Sequence, residues 1–460
     1  MSGKRQKRQL ELAFPRERRG EAPKFLAQGV ELPMAENASE STATTSSQLM
    51  EEVCQRENML QAYKRVKRNK GSPGVDGLTV PELLEHLESH WRNIKEQLLQ
   101  GTYRPQPVRL VEIPKPNGGS RKLGIPTVVD RLIQQAILQV LQKQWDPTFS
   151  ENSYGFRPGR SAHQAITRAQ QHIRSGREYV VDLDLEKFFD RVNHDILMGK
   201  VAKRVKDKRI LRLIRRYLEA GLMQNGMVSQ RTQGMPQGGP LSPLLSNLLL
   251  DELDRELERR GHRFCRYADD CNIYVRSQRA GERVMKKVTR FLERRLRLKI
   301  NQSKSAVAHP WERKFLGFTF SVGHAAYIRV APASVKRFRL RIRELTARSR
   351  GRSFMQVLGE TSRYLQGWQS YYGIVIQPWL MKKLDGWIRR RLRCLAWTQW
   401  KTYNKRSKEL RIRGIHARKA AQTAATRRGP WRACRLPGVQ KAFSVKHFQS
   451  IGLVALNGYG

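Results

Sequence analysis

Acidic residues are scarce in this sequence: of 460 residues only 40 are Asp or Glu, against 88 Lys or Arg, which leaves a formal net charge of +48. Solubility does not require such an excess. A polyanion is the natural counterpart, because each phosphate neutralised by a basic side chain releases counterions and adds affinity. Cysteine is scarce too. The five thiols, Cys54, Cys265, Cys271, Cys394 and Cys434, contain no Cys-x-x-Cys pair, so neither a disulfide framework nor a zinc ribbon is expected. Long apolar runs are missing: none approaches the roughly 18 residues of a membrane span, and the basic stretch Met1 to Arg19 is not followed by a signal-peptide core. The expected setting is the cytoplasm, beside nucleic acid and away from membranes. The length leaves room for two or three domains and an enzyme-sized core.

Residues 1–48 mix basic clusters with small polar runs and hold too few large apolar groups to fold alone, so a disordered arm is expected. A helical pattern runs from Leu49 to Lys70 and stops at Gly71-Ser72-Pro73-Gly74. Val108 to Ile113 and Arg121 to Ile125 alternate around Asn117-Gly118, a dipeptide suited to the positive φ of a type I′ turn, which predicts a hairpin. Its basic flanks Lys115 and Arg121 either reach a triphosphate or template, or decorate a solvated edge; spacing alone does not choose. Leu132, Ile133, Ala136, Ile137 and Val140 recur at helical intervals. Tyr179 to Leu185 reads as a buried strand leading into Phe188-Phe189, Leu244 to Leu250 as a buried helix, Phe264 to Val275 as a second hairpin, and Lys314 to Phe320 as another apolar run. Strands and helices interleave without a βα repeat, so the expected fold class is α+β. Beyond Val330 the chain turns to Arg-rich helices. In one of them Leu384, Ile388, Leu392 and Leu395 form a face, while Arg389, Arg390, Arg391 and Arg393 are expected to point largely elsewhere, toward phosphates. His86 and His90 share i, i+4 spacing without a third ligand and read as a solvated face.

The chemistry is concentrated in Tyr267-Ala268-Asp269-Asp270, which lies between apolar strand-like runs, and in the upstream Val180-Val181-Asp182-Leu183-Asp184-Leu185. Consecutive carboxylates at a hairpin end, with a neighbouring strand bringing Asp184 alongside, gather three negative charges whose repulsion bound cations relieve. Magnesium takes oxygen ligands, and two ions about 3.5 to 4 Å apart can clamp the attacking and leaving oxygens of phosphoryl transfer. An Asp-Asp pair by itself is more often a turn feature. Here the surrounding blocks decide.

Those blocks, in order, are Gly71-Ser72-Pro73-Gly74-Val75-Asp76-Gly77, Ile113-Pro114-Lys115-Pro116 with Leu123-Gly124-Ile125-Pro126, Ser153 to Ser161, Phe188-Phe189-Asp190, Met235 to Pro243, Tyr267-Ala268-Asp269-Asp270 and Phe315-Leu316-Gly317-Phe318. The ordered series resembles a group II intron-encoded reverse transcriptase and maturase. Gly367-Trp368, Tyr371-Tyr372-Gly373 and Trp387 to Leu392 resemble its thumb or maturase segment, and Arg411 to Leu456 resembles the short tail of bacterial class C members, which lack an appended nuclease.

The resemblance implies a right hand of fingers, palm and thumb: fingers and palm over 49–330, thumb and maturase over 331–405, and a basic nucleic-acid-binding tail over 406–460. It implies that Asp184, Asp269 and Asp270 hold two magnesium ions, with the Leu185 carbonyl as a further ligand, and that Asp182, the competing carboxylate, is structural. Asp184 is preferred because Phe189 then stands beneath the incoming sugar, where an aromatic ring clashes with a 2′-hydroxyl. Lys115 and Arg121 would hold the triphosphate, and Gln237 with Gly238 would line the nucleotide pocket. Asn193-His194-Asp195 is given a turn-building role. The implied partners are group II intron RNA, target DNA with a primer, and deoxynucleoside triphosphates; a homodimer is left open. The implied activity is RNA-directed DNA synthesis, with splicing assistance and retrohoming in a bacterial, nucleoid-associated setting. Two other readings stay open: a splicing factor whose polymerase is vestigial, and a domesticated polymerase in DNA repair or defence.

Overall fold

The computed structural model describes residues 48–114, 120–224, 226–375 and 377–457. The first of two compact units takes the described residues up to His172 together with Arg177–Ala308; the second takes Ile173–Gly176 and those from His309 on. The helical pattern after Leu49 is two helices, α1 (Leu49–Cys54) and α2 (Arg56–Asn69), because Gln55 between them is extended, at ψ 140°. Helix α3 (Leu83–Gln100) follows. Strands β1 (Val108–Pro114) and β2 (Ser120–Ile125) pair antiparallel from Arg109↔Ile125 to Pro114↔Ser120. Lys115 and Asn117-Gly118 lie outside the described residues. Helix α4 (Val128–Trp145) begins at Thr127, whose hydroxyl accepts from the Asp130 N–H, and buries Leu132, Ile133, Ala136 and Ile137. Each such side chain removed from water contributes roughly 1.5 to 3 kcal/mol.

After α5 (Ala162–Arg174) come β3 (Tyr179–Leu183), the short α6 (Phe188–Arg191), α7 (His194–Arg204), α8 (Lys208–Glu219), β4 (Leu222–Gln224) and β5 (Met227–Ser229). Asn193 caps α7 by accepting from the Ile196 N–H at 2.9 Å, and the His194 ring bonds the Gly234 carbonyl at 2.7 Å, so this trio builds local structure. Helix α9 (Ser242–Arg259), strands β6 (Arg263–Tyr267) and β7 (Asp270–Val275), helix α10 (Gln278–Phe291) and strand β8 (Ala306–Ala308) complete the unit. Its strands form two sheets, β2-β1-β4-β5 and the wholly antiparallel β6-β7-β3-β8. In the second sheet Val181, Leu183, Cys271 and Ile273 join the large core with α9 leucines, as the period-2 side-chain alternation of strands requires.

In the second unit the run Lys314 to Phe320 folds back on itself. Phe315 bridges Phe318 across Leu316 and Gly317, both at positive φ (51° and 86°), so strand β9 spans Phe318–Phe320 and pairs with β10 (Ile328–Val330). Helices α11 (Pro332–Leu345), α12 (Phe354–Tyr372) and α13 (Pro378–Gln399) follow, then the short α14 (Tyr403–Ile412), α15 (Ala417–Ala424), α16 (Pro430–Ala433), α17 (Pro437–Ala442) and α18 (Val445–Ser450). The face Leu384, Ile388, Leu392, Leu395 of α13 is buried, as its spacing predicts. Its arginines correct the expectation. Arg390 stacks on Trp431 at 3.7 Å, Arg391 donates to Thr346 Oγ1 at 2.6 Å, and Arg393 donates twice to the Phe443 carbonyl. Carbonyls at the ends of short helices need donors: Arg390 serves Trp431 and Arg393 serves Phe443, while Arg391 serves the Thr346 hydroxyl at the end of α11, so the three guanidiniums already have partners within this unit. The five cysteines are buried and free. Among the described residues no helix is long and apolar enough to cross a membrane.

Candidate active site

The β6–β7 register ends at Tyr267↔Asp270, leaving Ala268 and Asp269 as a two-residue turn. Ala268 sits in the left-handed region (φ 58°), which costs a non-glycine residue on the order of 1 kcal/mol. Its neighbours hold it there. Arg266, fully buried on β6, donates from Nη1 to the Ala268 carbonyl at 2.9 Å and to Asn247 Oδ1 at 3.0 Å. Its Nε and Nη2 grip Asp254 at 2.7 and 2.5 Å, and Nη2 also reaches Ser153 Oγ at 2.8 Å. All five N–H donors of this guanidinium are thus used. Burial, aided by the charges of Asp251 and Glu258, pushes the Asp254 carboxyl up, and the two-pronged guanidinium opposes that push. Beneath the turn lies Gly155: a Cβ there would stand 2.3 Å from the Ala268 nitrogen.

Strand β3 pairs with β7 through Asp182↔Asn272 and Leu183↔Cys271, so Asp184, the residue after the last pair, and Asp270, the residue before it, leave the ladder at the same end. The Asp184 N–H donates to Ser305 Oγ at 2.9 Å and its carbonyl accepts from the Asn301 N–H at 2.8 Å. Asp182 faces the amide of Asn272, which in its hydrogen-bonding orientation donates to Asp182 Oδ1 at 3.0 Å. Desolvation pushes the Asp269 carboxyl above the usual carboxylate range; the charge of Asp184 pushes the same way, and Arg121 and Arg266 oppose it. Asp184, Asp269 and Arg121 therefore share one electrostatic field. The carboxylates are not drawn into a tight cluster: among the described residues no three His, Cys, Asp or Glu side chains gather as metal ligands. Asp184 instead stands 3.8 Å from Lys304 Nζ.

The segment Gly234 to Gly239 draws the other expected residues together. The Met235 N–H donates to the Phe189 carbonyl at 2.6 Å, and the Gly124 N–H donates to the Gln237 carbonyl at 2.8 Å. Gly238, at φ 136°, has no room for a side chain, since a Cβ would meet the Gly124 carbonyl oxygen at 2.3 Å. Phe189 is half-buried and meets Phe188 edge-on at 5.1 Å. Leu185 is buried and bridges Ile300. Lys115 lies outside the described residues. Sequence reasoning passed over Arg266, Asn247 and Asp254; the signal was an arginine inside the apolar strand Phe264-Cys265-Arg266-Tyr267, with Asn247 and Asp254 seven residues apart on one helical face.

Residues 113–320 match the family described as reverse transcriptase (RNA-dependent DNA polymerase), and residues 335–414 match the group II intron, maturase-specific domain. Protein YkfC of Escherichia coli strain K12 is 33% identical over 316 residues, 60% of this chain and 82% of that protein. The chain belongs to the reverse transcriptases that carry a group II intron maturase domain. The group II intron-encoded protein LtrA of Lactococcus lactis subsp. cremoris is 38% identical over 195 residues, 42% of this chain but 32% of LtrA. Among solved structures, a chain of a partial Cas6-RT-Cas1--Cas2 complex is 27% identical, with 54% of this chain and 42% of that chain covered at a TM-score of 0.35. This reverse transcriptase has the α+β right-hand fold class and is an RNA-directed DNA polymerase by family. Its polymerase match, residues 113–320, contains strand β3 and the β6–β7 hairpin, so Asp184, Asp269 and Asp270 fall inside it.

Proposed function

We propose that this reverse transcriptase extends a DNA primer on group II intron RNA, that it assists splicing of that RNA as a maturase, and that it copies the intron into DNA during retrohoming. The observation that carries the reading is the register by which Asp184 and Asp270 leave the ladder at the same end, with Asp269 on the turn and Arg121 in the same field. An all-oxygen donor set beside a carboxyl already strained by a neighbouring anion suits a hard divalent cation. Asp184, Asp269 and Asp270, with the Leu185 carbonyl, would hold two magnesium ions, which when bound offset the charge that builds on the reacting phosphate. Arg121 and Lys115 orient the triphosphate, Gln237 and Gly238 line the nucleotide pocket, and Phe189 stands against the sugar and excludes a 2′-hydroxyl. The primer 3′-hydroxyl is the nucleophile, so the protein contributes positioning and charge. Fingers and palm occupy 49–330, the thumb and maturase segment 331–405, and a basic tail 406–460. The test is Asp269→Ala in a primer-extension assay on RNA with magnesium. Synthesis should fall by at least about 10³-fold while intron RNA binding by the same protein stays within a few-fold; equal loss of both rejects the reading.

A further inference from the structure

We propose that the groove between the C-terminal end of α9 and helix α10 is a second polyanion site, one that takes the phosphate backbone of a folded RNA duplex. The groove has a volume of about 920 Å³, and Arg260, His262, Arg283, Lys287, Arg290 and Arg294 line it above a floor that includes Val284 and Phe291. None of Asp184, Asp269, Asp270 and Arg121 lines it. Its charge is only partly compensated. Glu256 engages Arg259 and Arg260, and Glu252 engages Arg295. Arg283, Lys287, Arg290 and Arg294 are exposed and have no ion pair among the described residues.

Those four positions are spaced i, i+4, i+7 and i+11, which places them in a row along one face over roughly 16 Å. Like charges at such spacings destabilise a helix by a few tenths of a kcal/mol per pair, a cost that no ion pair among the described residues offsets. The row is longer than the spacing between neighbouring phosphates of one strand, so it can meet several phosphates of a nucleic-acid backbone at once. The helix ends in a π turn, Leu292–Leu296, that buries both of those leucines and turns Arg294 and Arg295 outward; such turns are frequent at functional sites. Burial and the charges of Arg260 and Lys287 hold the His262 imidazole below its ordinary value, which reports the positive field inside the groove. Phe291, the aromatic side chain on the floor, is partly buried against the core and leaves little of its face for stacking unpaired bases, and guanidinium forks match phosphate oxygens, so backbone contact with a duplex is favoured over single-strand reading.

The choice of probe rests on the proposed function; the site does not. The full chain and its R283Q/K287Q/R290Q/R294Q variant are titrated with a self-folded group II intron RNA between about 50 and 200 mM salt. Four lost phosphate contacts reduce the slope of log affinity against log salt by about 3.6, so the advantage of the parent over the variant shrinks about 150-fold across that range. Extension of an oligo(dT) primer on a short poly(rA) template should be unchanged in the variant. A charge-preserving variant, R283K/R290K/R294K, should keep the parental slope. Equal slopes for parent and glutamine variant overturn the proposal, as does a loss of primer extension in step with the loss of binding. Competition by polyglutamate or phosphatidylserine vesicles as strong as by RNA duplex at equal charge overturns the assignment to RNA. A parent that binds the RNA with the expected slope but extends no primer would remove the proposed polymerase role and leave the groove standing.

Discussion

Replacing Arg266 separates the stability of the β6–β7 hairpin from its geometry. The guanidinium and Asp254 are both fully buried, and removing one partner of such a pair leaves an uncompensated charge, at about 3 to 5 kcal/mol. Asp254→Asn should therefore cost that much in urea unfolding, a large part of a typical 5 to 15 kcal/mol, yet it leaves the Arg266 contact to Ala268 in place. Arg266→Met strands Asp254 and also deprives the Ala268 carbonyl, Asn247 Oδ1 and Ser153 Oγ of donors, each worth roughly 1 to 3 kcal/mol when left unsatisfied. Pairing Arg266→Met with Asp254→Leu removes both buried charges and restores much of the stability. It does not restore the hydrogen bond that fixes the turn. A shift of about 1 Å in a positioned group can cost about 10²-fold in rate, so primer extension should stay depressed by that order in the double variant although the protein is folded. Asp254→Asn should retain near-parental extension at a temperature where it is folded. If folded Arg266→Met protein extends primers at the parental rate, the guanidinium does not position Asp269 and the argument fails.

Gly155→Ala should act on the same turn from below, since the new methyl meets backbone that cannot move aside; a cost of about 1 to 3 kcal/mol and a larger loss of extension than of RNA binding are expected in parallel assays. Phe189→Ala should admit ribonucleotides, lowering the ratio of deoxynucleotide to ribonucleotide incorporation by roughly 10- to 200-fold in single-nucleotide extension; an unchanged ratio would remove the ring from the sugar pocket. Burial pushes the Asp130 carboxyl up to about 6, although bonds from Thr127, Tyr103 and Gln106 favour its charged form. With an unfolded value near 3.9, the folded state holds the extra proton between about pH 4 and 6, so stability falls as pH rises through that window, by about 3 kcal/mol in all. Asp130→Asn should flatten that slope in urea melts, and an identical slope in both proteins would contradict it.

The parts of this protein legible in the sequence are those set by local periodicity and by turn chemistry. The hairpin over Phe264 to Val275, the buried helix around Leu244 to Leu250 and the apolar seam of α13 follow from side-chain alternation and helical spacing, which need no partner to be read; the turn's place at Ala268-Asp269, with Asp270 already in β7, came from the structure. Gln55, which splits one expected helix into two, and Leu316-Gly317, which fold an expected strand back on itself, are decided by backbone conformations that composition does not reveal. The arginines of α13 carry the sharper lesson. Their charge suggested a role toward phosphates, and only the position of the Thr346 hydroxyl and of the Trp431 and Phe443 carbonyls gave three of them partners within the fold.

By itself the sequence determined a basic chain with three candidate carboxylates, because charge and residue order survive in one dimension. Tertiary structure decided which groups come near one another: Asp184, just past the end of β3, beside the start of β7 at Asp270, Arg266 under the turn, and an uncompensated row of cations along α10. Coulomb and hydrogen-bond energies depend on distances through space, and those distances are fixed only when strands from remote parts of the chain find their register.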